Sequence, residues 1–276
     1  MLLLGAGCRS PAGLPSQTED PLSIPTTSLP LTPALTVTPA LISPVLLPSP
    51  VITPEESSPV QICSPLQGIT LSQLDHTISN PFYPPPSGSD DPHHGVDLAD
   101  IGPDGVARAG LQVNFVVSGQ VAGIILDRFP YGNALLVETP LENLSPDWVL
   151  NMELPRPAAI PQVRSALTCP ALAPKPDWDA NDESLYLLYA HLQNSPSLKV
   201  GDQVSCGQNA GVIGSSGNAL NPHLHLEARI GPAGAEFASL AHYDVSASLD
   251  EMAAYCIWRV SGIFRLLDPM SLFSSP

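Results

Sequence analysis

The stretch NPHLHLEARI, residues 221–230, decides how this chain is read. Side chains alternate faces along a β-strand, so His223 and His225 emerge on one side, about 6–7 Å apart at the backbone. Leu224 and Leu226 point the other way, into a core. Two histidines lined up on one strand face have a plain explanation, a half-exposed strand with two incidental polar residues. A second cluster of metal-ligand residue types elsewhere in the chain would displace that explanation.

The chain has 276 residues, room for one large domain or two small ones. More than half of its 33 prolines precede residue 93. They concentrate in a nearly uncharged Pro/Thr/Ser/Leu tract without helical period, read as a disordered linker or stalk over 9–62. Extended at about 3.1 Å per residue, such a tether spans on the order of 150 Å. The first residues, MLLLGAGCRSPAG, resemble a bacterial lipoprotein signal cut before a cysteine, here Cys8. The leucine stands one place too far from the cysteine, and the basic start is missing. We read 1–8 as a secretory or lipoprotein remnant, too short to span a bilayer, with a lipid anchor expected at Cys8.

The other cysteines are Cys63, Cys169, Cys206 and Cys256. An even number without C-x-x-C spacing, beside an export signal, reads as two disulfides in an oxidising compartment. Cys169–Cys206 is the favoured pair, because it would pin an insertion to the core. Four buried thiols are the alternative for a cytosolic chain. The net charge of −16, with no Lys/Arg cluster, argues against a nucleic-acid partner.

From residue 63 onward short apolar runs alternate with glycine turns: VNFVVSG, QVAGIILD, NALLVETP, SLYLLYAHL, QNAGVIGSSG and HLHLEARI. The predicted head, 63–276, is mainly β, an antiparallel sandwich-like sheet with one C-terminal helix. Ser248 and Glu251 form a capping box for that helix, which is expected to run to Gly262. Residues 140–184, rich in proline and containing Cys169, read as an insertion between strands, either a groove wall or a disulfide-held ornament.

The second cluster is HHGVD. Fully extended, His93 and Asp97 stand about 13 Å apart, so both reach one ion only if the chain bends, which Gly95 makes cheap. A third element, LYLLYAHLQ, ends its strand with His191 facing away from leucines. Histidines and an aspartate from three strands form a ligand set that suits zinc. His94, His76 and His242 fit no such pattern and receive no role.

In order, H-x-x-x-D (His93, Asp97), Y-x-H (Tyr189, His191) and H-x-H (His223, His225) resemble the lysostaphin/LytM-type zinc metalloendopeptidases of bacterial cell walls. The flanking text agrees across 93–230: HHGVDLA, YGNALLVE, LYAHL and KVGDQVSCGQNAGVIGSSGNALNPHLHLEAR. The resemblance implies a groove across a sheet with a Zn2+ ion at its floor. His93, Asp97 and His225 would be its ligands, and His191 and His223 the catalytic pair. It further implies a monomeric enzyme of the cell envelope that cleaves peptide cross-links of peptidoglycan through a zinc-bound water. Three protein ligands leave one zinc position open for that water, and an imidazole beside it can take a proton or protonate the leaving amine. The chain departs from the family at the insertion and at Cys206, where lysine is common. Two other readings compete: an inactive relative that activates another hydrolase, and a wall-binding protein with a structural zinc. The first usually lacks motif residues, and the second usually has four closed ligands, commonly cysteines.

Overall fold

The structure, a computed structural model, describes residues 61–86, 88–152, 168–170 and 178–274. These fall within one compact unit, Glu55–Pro276. The expectations for Cys8, for the export signal and for nearly all of the stalk lie outside the described residues.

The described regions contain twelve strands. They are β1 (Ile78–Asn80), β2 (Val96–Leu98), β3 (Asp100–Ile101), β4 (Ala107–Arg108), β5 (Gln112–Asn114) and β6 (Gly119–Arg128). There follow β7 (Gly132–Pro140), β8 (Asp179–Leu192), β9 (Gln203–Val204), β10 (Asn209–Val212), β11 (Leu224–Ala233) and β12 (Arg265–Leu267). Eight of these form one antiparallel sheet in the order β1-β2-β11-β8-β7-β6-β9, with β12 paired to β11 beside β2. Short ladders β10–β5 and β3–β4 lie outside it.

The central strand β8 is apolar on both faces from Leu185 to Ala190 because both faces are covered. On one side, Leu224, Leu226, Ala228 and Ile230 of β11 join Leu185, Leu187 and Tyr189 of β8 in a core with Val113 and Phe115. On the other, Tyr186, Leu188 and Ala190 pack with Leu136 and with Tyr255 and Trp258 of a late helix, Leu249–Arg259. We number a one-turn-plus helix Pro146–Asn151 as α1 and the helix Leu249–Arg259 as α2. The Ser248–Glu251 capping box forms as read: the Glu251 amide donates to Ser248 Oγ at 3.2 Å and the Ser248 amide donates to Glu251 Oε2 at 2.9 Å. The helix stops earlier than expected, at Arg259, with Val260 as its C-cap; Gly262 takes a left-handed φ of 75° beyond it. None of the described helices is long and apolar enough to cross a membrane.

Two disulfides form, with a different pairing from the favoured one. Cys63 joins Cys206, and Cys169 joins Cys256. The insertion is therefore pinned to α2, while the start of the unit is stapled to the turn between β9 and β10. The insertion is also shorter than 140–184: β8 pairs with β11 from Asp179 onward, so the strand claims its last residues. Residues 153–167 and 171–177 lie outside the described set.

Candidate metal centre

Three backbone segments meet at the site. His225 on β11 lies across from Asp97 on β2 in antiparallel register, and His93 precedes β2 in an isolated bridge with Tyr83. The chain bends at residues 94–95, as expected, but the reason for glycine is different. Gly95 passes directly over β11, where a Cβ would run into the Leu226 carbonyl and the His225 ring. The close approach of two ligand-bearing strands is what demands glycine.

The side-chain atoms converge tightly. His225 Nδ1 is 2.8 Å from Asp97 Oδ1, His93 Nε2 is 3.1 Å from the same oxygen, and the two ring nitrogens are 3.2 Å apart. These three residues form a group able to hold a metal ion. Outer partners fix the ring orientations. His93 Nδ1 faces the Pro81 carbonyl at 2.8 Å, and His225 Nε2 faces Glu227 Oε1 at 3.2 Å. A carbonyl and a carboxylate only accept, so each of those ring nitrogens carries the proton. The opposite nitrogens are then the ones turned inward. Asn80 Nδ2 donates to Asp97 Oδ2 at 3.2 Å, leaving Oδ1 to the centre.

His191 and His223 line the same cleft, with ring centroids 4.8 Å apart; His191 is 5.7 Å from the His225 ring. His223 Nδ1 donates to the Asn221 carbonyl at 2.7 Å, and His191 Nδ1 donates to the Ser216 carbonyl at 2.8 Å. His223 Nε2 stands 3.5 Å from Asp97 Oδ1. All five sequence-derived residues are thus brought together.

His191 reaches this face by a route the alternation does not provide. Leu185, Leu187 and Tyr189 face the opposite core, and strict alternation would send His191 with them. Instead His191 adopts φ 62°, rare for a residue with a Cβ, and Leu192 replaces it in that core. Such a conformation costs on the order of 1–3 kcal/mol and persists where its surroundings impose it. Here they do. The His191 amide donates to the Tyr131 carbonyl, and Ser216 Oγ donates to the Leu192 carbonyl. Gly132, at φ 68°, lets the Ser216–Gly217 backbone come close enough for these bonds.

The electrostatics follow from burial and pairing. Burial, then the neighbouring His225 and His223, bring His191 down to about 3, so it is a neutral imidazole at neutral pH. Burial alone would push Asp97 up, but hydrogen bonds from His225 and His93 hold it well below the usual carboxylate range. For His225 burial works downward and is outweighed by hydrogen bonds to Asp97 and Glu227, which push it up to about 9 in the metal-free protein.

Beneath the histidines lies a buried array that sequence reading passed over. Glu227 Oε1 accepts from Tyr131 Oη at 2.9 Å and Arg259 Nη1 at 2.8 Å. Its Oε2 accepts from Arg229 Nε and Nη2 at 3.1 and 2.9 Å and from Trp258 Nε1 at 3.0 Å. The signal was in the opening stretch. In HLHLEAR the alternation that aligns His223 with His225 continues through Glu227 and Arg229. His94 accepts from Arg229 Nη2 at 2.7 Å through Nδ1, and His242 Nε2 donates to the Thr168 carbonyl at 2.8 Å, so both are structural partners.

Residues 179–236 match the model of peptidase family M23. The matched segment carries His191 on β8, His225 on β11 and His223 immediately before β11, while His93, Asp97 and Arg259 come from outside it. The chain is also similar to solved M23 structures. One is a putative peptidase M23 from Pseudomonas aeruginosa, 20% identical over 62% of this chain and 46% of that one, with a TM-score of 0.33. Another is the catalytic domain of the prophage-encoded M23 protein EnpA from Enterococcus faecalis, 18% identical over 62% and 92%, TM-score 0.33. The catalytic domain of lysostaphin from Staphylococcus simulans is 18% identical over 75% and 99%, TM-score 0.37. The chain spans about half the length of the Pseudomonas protein.

Proposed function

We propose that residues 63–276 form a zinc-dependent endopeptidase that hydrolyses peptide cross-links of bacterial peptidoglycan outside the cell. His93, Asp97 and His225 hold the ion, and His191 and His223 handle protons. The observation that carries this reading is the convergence of His93 Nε2, Asp97 Oδ1 and His225 Nδ1, all within 3.2 Å of one another. Tetrahedral ligands about 2.0–2.1 Å from zinc stand about 3.3–3.4 Å apart, so the three atoms need little movement to accept it. Their outer hydrogen bonds turn lone pairs inward, and a cation satisfies them jointly.

When bound, zinc supplies Lewis acidity and makes water nucleophilic near neutral pH. The chain's own residues do the rest. His191, neutral and with its Nδ1 proton committed to the Ser216 carbonyl, presents the Nε2 lone pair to the cleft and can accept a proton there. His223, anchored through Nδ1 to the Asn221 carbonyl, offers its Nε2 to the same centre, where it can stabilise developing charge or protonate a leaving amine. The cleft, about 730 Å³, is lined by Asp90 and Asp91 on one segment and by Asn218 and Leu220–Pro222 on another, beside the histidines.

Digestion of purified peptidoglycan by the full chain, followed by mass analysis, tests this. New amino termini within stem or cross-bridge peptides are expected and identify the bond. Zinc-loaded protein that leaves peptidoglycan intact contradicts the enzyme reading and favours a binding or activating module.

A further inference from the structure

The two chain segments that carry the outermost ligands are joined by a residue belonging to neither. Arg259 ends α2, and its guanidinium lies between Asp90, three residues before His93, and Glu227, two residues after His225. Nε donates to Asp90 Oδ1 at 2.6 Å and Nη2 to the Asp90 carbonyl at 3.2 Å. Nη1 donates to Glu227 Oε1 at 2.8 Å and to Tyr131 Oη at 3.1 Å. Both carboxylates are well buried, with side-chain exposures of 10% for Asp90 and 0% for Glu227. Asp90 is held from its other oxygen by Tyr255 Oη at 2.7 Å and Tyr243 Oη at 3.0 Å. Glu227 in turn holds the proton-bearing edge of His225.

We propose that Arg259 is a positioning residue that clamps the His93-bearing loop to the His225-bearing strand and so fixes the spacing of the zinc ligands. The planar fork of arginine makes this two-sided contact, which a single ammonium cannot reproduce. Within the segment matched to the peptidase family the His225 side of the clamp is present, but its closing half comes from α2 and the loop before His93. The Cys169–Cys256 disulfide anchors the same helix one turn before Arg259, so the insertion is tied to the ligand geometry through α2. Partners of a ligand's outer edge are typically worth 10–100-fold in metal affinity.

This inference rests on the zinc-peptidase reading, and its test separates the two. Zinc affinity of the full chain is measured by competition with a chromogenic chelator, beside chemical unfolding of the zinc-free protein. Arg259→Met, which acts through Glu227 and Asp90 and not on a ligand directly, is expected to weaken zinc by about tenfold, the low end of the range for direct partners. Arg259→Lys, which keeps the charge and guards against a misfolded methionine variant, is expected to weaken it in the same direction. Arg265→Met is the control. Arg265 makes an equally close pair with Glu183, at 2.8 and 3.1 Å, but that pair joins β12 to β8 away from the ligands. It is expected to lower stability and leave zinc affinity unchanged. Either Arg259 variant folding with undiminished zinc affinity, or Arg265→Met losing as much, overturns the clamp. An unsubstituted chain that binds no zinc overturns the reading beneath it, and the clamp with it.

Discussion

His225 and Glu227 stand two positions apart on β11, and the Nε2 proton of one is held by the Oε1 of the other at 3.2 Å. Because Glu227 only accepts, the contact selects the tautomer that leaves Nδ1 facing Asp97 and His93. The same contact, with the one to Asp97, keeps a second proton on the ring in the metal-free protein, up to about pH 9.

Zinc must displace that second proton. Below about pH 9 the metal-free site holds it, so zinc affinity should fall as pH falls, by about tenfold per unit from His225 alone. Asp97, already ionised far below this range, adds nothing to the slope. Zinc titrations near pH 7 and pH 8.5 check this, and an affinity that does not change between them contradicts the assigned ligand.

The two cleft histidines should separate binding from chemistry. His191→Ala and His223→Ala leave the three converging ligand atoms in place, so zinc should stay. Peptide hydrolysis should fall by about 10²–10⁴-fold, the usual worth of a positioned acid–base group. Rates on a soluble cross-bridge peptide, with zinc content from the same preparations, decide it; full activity in both variants removes the mechanism.

Gly95→Ala should damage the site without removing any ligand. Its Cβ would push against the Leu226 carbonyl and the His225 ring, forcing β2 from β11. Such overpacking costs about 1–3 kcal/mol. Urea unfolding should show that loss together with weaker zinc binding, and a variant matching the parent in both would show that the close approach can relax.

The Cys63–Cys206 bridge closes a sequence separation of 143 residues and touches no ligand. Replacing both cysteines with alanine should cost about 3–5 kcal/mol, mainly through the freed unfolded chain. Zinc stoichiometry should not change. A loss below about 1 kcal/mol would mean that core contacts around Val116 and Phe115 already hold this edge.

Much of the site could be read from local patterns. His225 lies on β11 and His223 continues its alternation one residue before the strand begins, and the Ser248–Glu251 spacing announced the start of α2. What escaped was tertiary. Alternation alone misplaces His191, whose left-handed backbone depends on Tyr131 and Ser216 from other segments. The expected Cys169–Cys206 pair followed from the insertion needing an anchor, but the anchor is Cys256, brought there by the packing of α2 on β8. Glu227 and Arg229 were visible as polar residues in phase with the histidines. Their purpose required Arg259 and Asp90, distant in sequence and joined only by folding.

The central claim divides the two histidines of one strand into a ligand and a proton-handling group. Zinc content per chain of His225→Ala and His223→Ala, purified identically in zinc-replete medium, tests it most directly. The account predicts close to one zinc in His223→Ala and almost none in His225→Ala, with His93→Ala and Asp97→Ala also empty. Loss of zinc from His223→Ala with retention in His225→Ala would contradict it, and the assignment of the cleft would have to be reversed.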